Sequence, residues 1–266
     1  MKGACDCHTH VFGPAACYPY APDRAYTPPD ASVEDLLALH RSLGIERVVI
    51  VQPSPYGTDN SCTLGALKHL GNKARGVAVV DAKADLDGLH EAGIRGVRAN
   101  LHTSGVNDPA AALRTLHEAV TTARPLGWHV QVYTSMAVID SLHEALLKLP
   151  VPLVVDHFGL PQGGNIRSLL DLVRRGKAYV KLSAPHRFPA DPAPIARALA
   201  EANPDRLLWG SDWPHPGTKG PRRRDAVQPF DAIDDAAALA RLAAWLPDAN
   251  LRRRILVDNP ARLYDF

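Results

Sequence analysis

The sequence predicts a single (β/α)8 barrel, because short apolar runs of strand length alternate eight times with longer amphipathic segments. The length of 266 residues fits one barrel of this kind. Polar residues follow several of the runs at their C-terminal ends, where the loops of a parallel barrel carry function. We therefore predict one domain over residues 1–266, with its functional groups at that end of the barrel.

Each predicted strand is a run of apolar residues bounded by polar or turn-forming residues. The runs, in order, are 4–8, 47–52, 74–80, 96–101, 129–133, 153–156, 178–182 and 206–209. The amphipathic segments between and after them begin near Val33, Thr63, Leu86, Asp108, Ser135, Ile166, Pro194 and Ala236. Ser32 predicts an N-cap for the first helix, Gly44 predicts its end, and Asp258 predicts the N-cap of a last short helix.

The composition excludes several other classes of protein. Hydrophobic residues make up 46% of the chain and charged residues 22%, which is typical of a globular domain. The formal net charge of +2 is too small to predict binding to nucleic acid or to a membrane. The four cysteines do not suit a disulfide framework, and neither a signal peptide nor a membrane span is predicted. We expect a cytoplasmic protein, and the sequence does not indicate its oligomeric state.

The first predicted strand ends in two histidines, within the run Asp-Cys-His-Thr-His at residues 6–10. Side chains alternate between the two faces of a strand, so we expect Asp6, His8 and His10 on one face. The cysteines at positions 5 and 7 are then expected on the other face, between strand and helices. Asp212 follows the eighth strand, and the first and last strands of a closed barrel are neighbours. We therefore expect Asp212 to lie within reach of both imidazoles.

The same alternation rule adds polar groups from the other strands to this cavity. These residues are Ser54, Arg98, Asn100, Gln131, Tyr133, His157, Lys181 and Ser183. So many polar groups at one end of a barrel indicate a functional site. Lys181 has two interpretations, an electrophile or Schiff-base amine and a buried ion pair with Asp156, and its depth favours the ion pair. Five further histidines fall in predicted helices and are expected at the surface or an interface: His40, His69, His90, His117 and His143.

Six motifs spread over the chain resemble the amidohydrolase superfamily, and specifically its branch around 2-pyrone-4,6-dicarboxylate lactonase. The motifs occupy residues 6–14, 51–60, 95–98, 155–159, 209–216 and 258–264. Among them are Asp-Cys-His-Thr-His-Val-Phe-Gly-Pro at the start and Trp-Gly-Ser-Asp-Trp-Pro-His-Pro near the end. The resemblance implies a distorted TIM-type barrel that hydrolyses a small carboxylated lactone.

The resemblance also bears on metal binding. The superfamily usually binds one or two divalent metals through His-x-His, a lysine or acid, two further histidines and a terminal aspartate. This sequence departs from that pattern, because Arg98 and Asn100 lie on the fourth strand and Tyr133 on the fifth. The lactonase branch has a similarly depleted pattern and works without metal, so we expect no cofactor. The alternative is one zinc ion held by the three imidazoles and Asp212.

The resemblance and the residue chemistry together give the catalytic roles. Asp212 matches the terminal acid of the family and is expected to activate water, with a proton affinity that rises as water leaves the site. His8, His10 and His157 are expected to donate hydrogen bonds to the lactone carbonyl, with one of them as a candidate imidazolium.

A second set of residues is expected to bind the substrate. Arg98 and Arg187 present forked donors that suit a carboxylate. The resemblance to the lactonase branch implies that Arg187 and Tyr26 contact the substrate. The other expected contacts are Ser54, Tyr133 and His215, although His215 has an equal claim to shaping its loop. Residues 102–105 read His-Thr-Ser-Gly where the lactonase branch carries a further basic pair. We therefore expect one carboxylate on the lactone, or hydroxyls in place of the second, unless the arginines at 222–224 restore the charge.

Three alternatives stay open from the sequence. A lactone isomerase would use the same residues, with a substrate hydroxyl in place of water. A zinc-dependent amidohydrolase or decarboxylase would use the histidines and Asp212 as ligands. A binding protein for an organic acid would use the barrel without turnover, but it gives no reason for a carboxylate beside three imidazoles.

Overall fold

The computed structural model describes residues 1–217 and 223–266, and in these ranges eight parallel strands form one sheet in sequence order. The predicted (β/α)8 barrel is therefore confirmed. The strands are β1 (Cys5–Thr9), β2 (Arg47–Val51), β3 (Ala74–Ala78), β4 (Ile94–Asn100), β5 (His129–Tyr133), β6 (Leu153–Val155), β7 (Ala178–Leu182) and β8 (Leu207–Trp209). Their ends lie within two residues of the predicted ones.

Helices follow each strand on the outside of the barrel, as the amphipathic segments predict. They are α1 (Val33–Leu43), α2 (Ser61–Leu70), α3 (Leu86–Glu91), α4 (Pro109–Ala123), α5 (Met136–Leu146), α6 (Arg167–Arg174), α7 (Pro192–Ala202), α8 (Asp235–Trp245), α9 (Ala249–Arg253) and α10 (Asn259–Tyr264). Among the described residues, no helix combines the length and apolar composition that crossing a bilayer requires.

Two of the predicted helix ends are confirmed and one is wrong. The Ser32 hydroxyl accepts a hydrogen bond from the Asp35 N–H at 3.1 Å, and the Asp35 carboxylate accepts one from the Ser32 N–H at 3.2 Å. Gly44 ends α1 in the left-handed conformation, with φ of 67°. Asp258 makes no side-chain cap, because it lies inside continuous helical backbone where a π-helical turn joins α9 to α10.

The barrel closes where β1 meets the chain after β8. The Asp212 N–H donates to the His8 carbonyl at 2.9 Å, and the His10 N–H donates to the Trp213 carbonyl at 2.8 Å. These two bonds, which we call the seam, bring the first and last predicted motifs together. The expected proximity of Asp212 to the two histidines therefore follows from main-chain pairing.

The expected alternation of side chains along β1 is wrong at its start. The pairing of β1 with β2 shifts register between Asp6 and Thr9, and this bulge changes which face each residue presents. The cysteines consequently point into the barrel. There they belong to an inner apolar cluster made of Cys5, Cys7, Val49, Val51, Val77, Val154, Tyr179, Leu208 and Tyr264. His8 and His10, after the bulge, reach the site as expected.

Asp6 lies against α1 and stabilises the seam. Its carboxylate accepts the Ser211 N–H at 2.9 Å and the His8 N–H at 3.2 Å, and it lies 3.3 Å from Nε2 of His40. His40 is therefore buried at 5% exposure, and its expected place at the surface is wrong. The cause is the outward carboxylate of Asp6, which the alternation rule had placed in the site.

The two long loops that follow β1 and β8 lie against each other over the mouth of the barrel. The Gln228 N–H donates to the Thr27 carbonyl at 2.8 Å, and the Arg24 guanidinium donates to the Arg224 carbonyl at 3.1 Å. Phe12 of the first loop stacks on Phe230 of the last, with ring centres 5.8 Å apart. Both ends of the chain thus contribute to the walls of one cavity.

Candidate active site

The candidate active site is a cavity at the C-terminal end of the barrel, below the two long loops. Most of the predicted site residues line it together. They are His10, Tyr26, Ser54, Arg98, Tyr133, His157, Arg187 and Asp212. His8 lies beside them, with its ring centre 4.7 Å from that of His157 and 5.0 Å from that of His10.

Asp212 occupies the centre of the three imidazoles. Its Oδ1 lies 3.6 Å from Nε2 of His8, 3.9 Å from Nε2 of His10 and 3.7 Å from Nε2 of His157. Among the described residues, neither Asp212 Oδ1 nor His8 Nε2 has a hydrogen-bond partner, and both atoms are buried. The backbone of Asp212 is left-handed, with φ of 71°, which is strained for a residue with a side chain. The arrangement leaves room for a reacting oxygen between charged and polar groups.

Arg187 holds the other oxygen of this carboxylate. Its Nε lies 2.8 Å and its Nη2 2.5 Å from Asp212 Oδ2, and Nη2 also donates to the Pro216 carbonyl at 3.2 Å. Burial raises the pKa of Asp212, but the pKa lies well below the ordinary value, chiefly because the charge of the Arg187 guanidinium opposes the effect of burial. The expected rise in proton affinity is therefore absent while this ion pair is intact. The sequence did not indicate that Arg187 would contact the carboxylate.

The three imidazoles are neutral at neutral pH. Burial lowers the pKa of His10 to about 4, with a further contribution from the charge of Arg98. Burial also lowers the pKa values of His8 and His157 well below the ordinary value. An imidazolium, which the sequence left as a candidate, is thus disfavoured at all three positions.

The hydrogen on His10 is fixed by its surroundings. Its Nδ1 lies 2.7 Å from the Val51 carbonyl, which can only accept, so Nδ1 carries the hydrogen and Nε2 a lone pair. A neutral His10 therefore accepts a hydrogen bond in the cavity and does not donate one, in contrast to the role expected for it. The Nδ1 of His157 lies 2.8 Å from the hydroxyl of Ser183. Because a hydroxyl can donate or accept, this contact is compatible with a hydrogen on either nitrogen of His157.

A buried polar cluster lies beside the cavity and consists of His8, Arg98, Gln131, Asp156 and Lys181. Lys181 is fully buried and lies 3.5 Å from Asp156, which confirms the expected ion pair. The amide of Gln131 donates to Asp156 at 3.1 Å. Arg98 donates to the Gln52 carbonyl at 3.0 Å and lies 3.8 Å from Asp156. Burial lowers the pKa of Lys181, and the carboxylate of Asp156 opposes this shift.

The remaining predicted residues differ in their position. Tyr26 and Ser54 face the cavity from the loops after β1 and β2. His215 lies against α8, with Nε2 3.0 Å from Oδ1 of Asp235, which supports the interpretation that it shapes its loop. Arg222 lies outside the described residues. Arg223 is exposed and forms an ion pair with Asp225 at 2.8 Å.

Sequence reasoning missed Thr103 as part of the site. Thr103 lines the cavity together with Asn100, and its N–H donates to the Asn100 side chain at 3.0 Å. Unlike Asn100, which strand alternation placed in the cavity, Thr103 lies in the loop after β4, where no periodic pattern shows which side chains turn inward. The only available signal was the place of this loop at the C-terminal end of a strand.

Two groups of described residues bring ligand atoms for a metal ion within 4.8 Å of one another. They are His8, His10 and Asp212, and His8, Asp156 and His157. Both suit zinc by residue type. Histidine ligands usually donate the hydrogen of their other nitrogen to an acceptor, as His10 does to Val51. His8 instead has Nζ of Lys181 at 3.2 Å from Nδ1, so the fit to a metal ion is incomplete at the residue that both groups share.

A sequence model of the family described as amidohydrolase matches residues 5–266. The chain belongs to the amidohydrolase family. The match begins at the first residue of β1 and runs to the end of the chain, so it includes both motifs that meet at the seam.

Curated relatives are similar to this amidohydrolase over nearly all of its length. The 4-sulfomuconolactone hydrolase of Rhizobium radiobacter is 39% identical over 99% of this chain and 90% of the relative. The 2-pyrone-4,6-dicarboxylate hydrolase of Comamonas testosteroni is 37% identical over 98% and 90%. The D-galactarolactone isomerase of Agrobacterium fabrum is 32% identical over 99% and 91%. The resemblance to the lactonase branch is therefore confirmed.

Proposed function

We propose that this protein hydrolyses a small lactone with an acidic substituent, using water activated by Asp212. The chain is an enzyme of the lactonase type, since relatives at 37% and 39% identity over nearly its full length are named lactone hydrolases. The observation that carries the proposal is Oδ1 of Asp212, which has no hydrogen-bond partner among the described residues and faces three imidazole nitrogens at 3.6 to 3.9 Å.

Two hydrogen-bond acceptors position the attacking water molecule. Asp212 Oδ1 and His10 Nε2 both accept hydrogen bonds, so a water molecule between them directs a lone pair away from both. That lone pair attacks the lactone carbonyl carbon, and Asp212 takes the proton. When the ring C–O bond of the tetrahedral intermediate breaks, the leaving oxygen takes the proton back from Asp212. Atoms and charges balance, and the carboxylate is restored.

The carbonyl oxygen gains negative charge during the attack and needs donors. The Nε2 atoms of His8 and His157 lie 3.6 and 3.7 Å from Asp212 Oδ1, within reach of this carbonyl oxygen. The loss of one such donor typically costs roughly 3 kcal/mol of transition-state stabilisation. Their low pKa values are compatible with this role, because a neutral imidazole with a hydrogen on Nε2 is a donor.

The acidic substituent of the substrate is proposed to bind Arg98 and Arg187, with Tyr26, Ser54 and Tyr133 as further donors. Contact with the substrate would draw the Arg187 guanidinium away from Asp212. The proton affinity of Asp212 would then rise, so that the base becomes effective only when substrate is bound. Residues 102–105 contribute no arginine, which favours a substrate with one anionic group and neutral polar groups elsewhere.

We propose that the reaction needs no metal ion. Lys181 beside His8 and Arg187 on Asp212 place positive charge next to the atoms that would hold one. The test is activity after chelation, with the metal content measured on the same sample. If chelation abolishes activity and zinc restores it, the zinc-dependent candidate is favoured. In it, His8, His10, His157 and Asp212 would hold the ion, which would lower the pKa of a bound water.

The test of function is a panel of mono- and dianionic lactones, including sulfonated ones, incubated in water labelled with oxygen-18. Hydrolysis places one label in the new carboxylate of the opened product. The isomerase candidate, favoured by the relative named D-galactarolactone isomerase, predicts a rearranged lactone with no label. Absence of turnover across the panel would contradict both.

A further inference from the structure

His8 and His10 present Nε2 to the same cavity, but their Nδ1 atoms have opposite partners. The Nδ1 of His10 lies 2.7 Å from the Val51 carbonyl, which can only accept a hydrogen bond. The Nδ1 of His8 lies 3.2 Å from Nζ of Lys181, which forms an ion pair with Asp156 and as an ammonium can only donate. A neutral imidazole has one hydrogen for two nitrogens. Opposite partners at Nδ1 therefore give opposite hydrogen-bonding character at Nε2.

The surroundings of Lys181 identify its Nζ as a donor. Besides His8, it lies 2.7 Å from Oε1 of Gln131 and 3.5 Å from Oδ1 of Asp156. The orientation of the Gln131 amide is consistent, because its nitrogen donates to Oδ2 of Asp156 at 3.1 Å. All four side chains are fully buried, so Lys181 is shielded from bulk solvent.

Asp156 is the competing partner for His8. Its Oδ1 lies 3.2 Å from His8 Nδ1 and would accept a hydrogen from that nitrogen. The direction of this contact is poor, since Asp156 Oδ1 forms no hydrogen bond with any described residue. A hydrogen on His8 Nδ1 would also be directed at the ammonium of Lys181, which cannot accept it. The contact with Lys181 has the geometry of a hydrogen bond, and it leaves the hydrogen of His8 on Nε2.

We propose that Lys181 is a positioning residue that keeps the hydrogen of His8 on Nε2, so that His8 donates to the substrate carbonyl while His10 accepts from water. The identity of the carbonyl rests on the proposed function, whereas the position of the hydrogen does not. Lys181 acts through His8 and does not touch the substrate. The hydrogen on His8 Nε2 would occupy the nitrogen that His8 presents to Asp212, through which it would bind a metal ion together with Asp212.

The first test is nitrogen-15 NMR of histidine-labelled, full-length protein at neutral pH. The His8 and His10 signals are assigned by their loss in His8→Gln and His10→Gln variants. We expect Nε2 of His8 and Nδ1 of His10 to have the shifts of protonated nitrogens, with the other two unprotonated. An unprotonated Nε2 on His8 would overturn the proposal. The result does not depend on turnover, so it stands apart from a failure of the lactone panel.

The second test is the Lys181→Met variant, which keeps the length of the side chain and removes the donor. We expect its His8 signals to shift towards a mixture of tautomers. We also expect kcat on the best lactone of the panel to fall roughly 10- to 100-fold, with little change in KM. The matched control is Lys177→Met, because Lys177 is an exposed lysine just before the same strand. This variant should change neither the His8 signals nor kcat. An unchanged His8 spectrum in folded Lys181→Met, as judged by near-UV circular dichroism, would overturn the proposal.

Discussion

The interior of the barrel contains two sets of side chains that differ in kind, although β1 and β7 carry members of both. The inner apolar cluster joins β1, β2, β3, β6, β7 and β8 through cysteine, valine, leucine and tyrosine side chains, with Tyr264 of α10 packed against them. The buried polar cluster joins β1, β4, β5, β6 and β7 through groups that are charged or hydrogen bonded. Burial of apolar groups stabilises the fold, whereas burial of charges costs free energy unless each is well paired.

This comparison separates stability from chemistry. If the polar cluster is retained for function, changes in it should affect catalysis more than folding. Changes in the apolar cluster should do the reverse. The predictions below run from the largest expected effect to the smallest, and those on Arg98 and Val77 each test one side of that division.

The largest effect is expected for Asp212→Asn. The amide keeps the shape of the side chain but accepts no proton, so kcat should fall by roughly 10³-fold or more with little change in substrate affinity. Steady-state kinetics with the labelled-water assay measures this. A KM that rises sharply at unchanged kcat would instead make Asp212 a binding residue.

A smaller effect is expected for Arg98→Ala, because it removes a substrate contact without removing the base. Loss of a charge-assisted contact of about 1.5–3 kcal/mol predicts a rise in KM of roughly 10- to 100-fold. Lactones without an acidic group should show no such rise, and they serve as the control. If Asp212→Asn and Arg98→Ala exchanged these effects, the assigned roles would be reversed.

The apolar side of the comparison is tested by Val77→Ala. Val77 of β3 is fully buried in the inner apolar cluster, so the substitution should lower the free energy of unfolding by about 2 kcal/mol. Chemical denaturation measures the change, and kcat should stay within experimental error. A large loss of kcat at unchanged stability would contradict the separation of the two clusters.

The smallest effect concerns pH and His129, which is buried beside Tyr264 with ring centres 5.2 Å apart. Burial lowers the pKa of His129 to about 3. Below about pH 6.5 the unfolded chain therefore binds a proton that the folded chain does not, so stability falls as pH falls. Between pH 6.5 and pH 5, the free energy of unfolding of the His129→Leu variant should fall by up to about 2 kcal/mol less than that of the parent. Chemical denaturation at several pH values measures this. An equal pH dependence of the free energy of unfolding in the parent and the variant would contradict it.

Most of the fold could be predicted from the sequence, because apolar runs and amphipathic segments report burial directly. The limits of β5 and β7 match the predicted residues, and those of the other strands lie within two residues. The face of Asp6 could not be predicted, because alternation holds only in regular pairing and β1 contains a bulge. The same bulge explains why His40 is buried.

The members of the site could be predicted better than their interactions. Strand ends and motifs placed Asp212, His10 and His157 in one cavity. The pairing of Arg187 with Asp212 could not be predicted, because it depends on where a loop after β7 directs its side chain. The different partners of His8 and His10 depend on contacts across the barrel, which neighbouring residues in a sequence do not reveal.

The seam has a consequence for how activity arises during synthesis. The histidines of β1 leave the ribosome first, while Asp212 arrives near the end of the chain, where pairing with β1 fixes its main chain. If Asp212 activates water as proposed, a nascent chain would be unable to open a lactone before the last strand is released. For the same reason, two fragments split between α4 and β5 would be inactive alone and would regain turnover only on reassembly, which makes complementation a direct reporter of barrel closure.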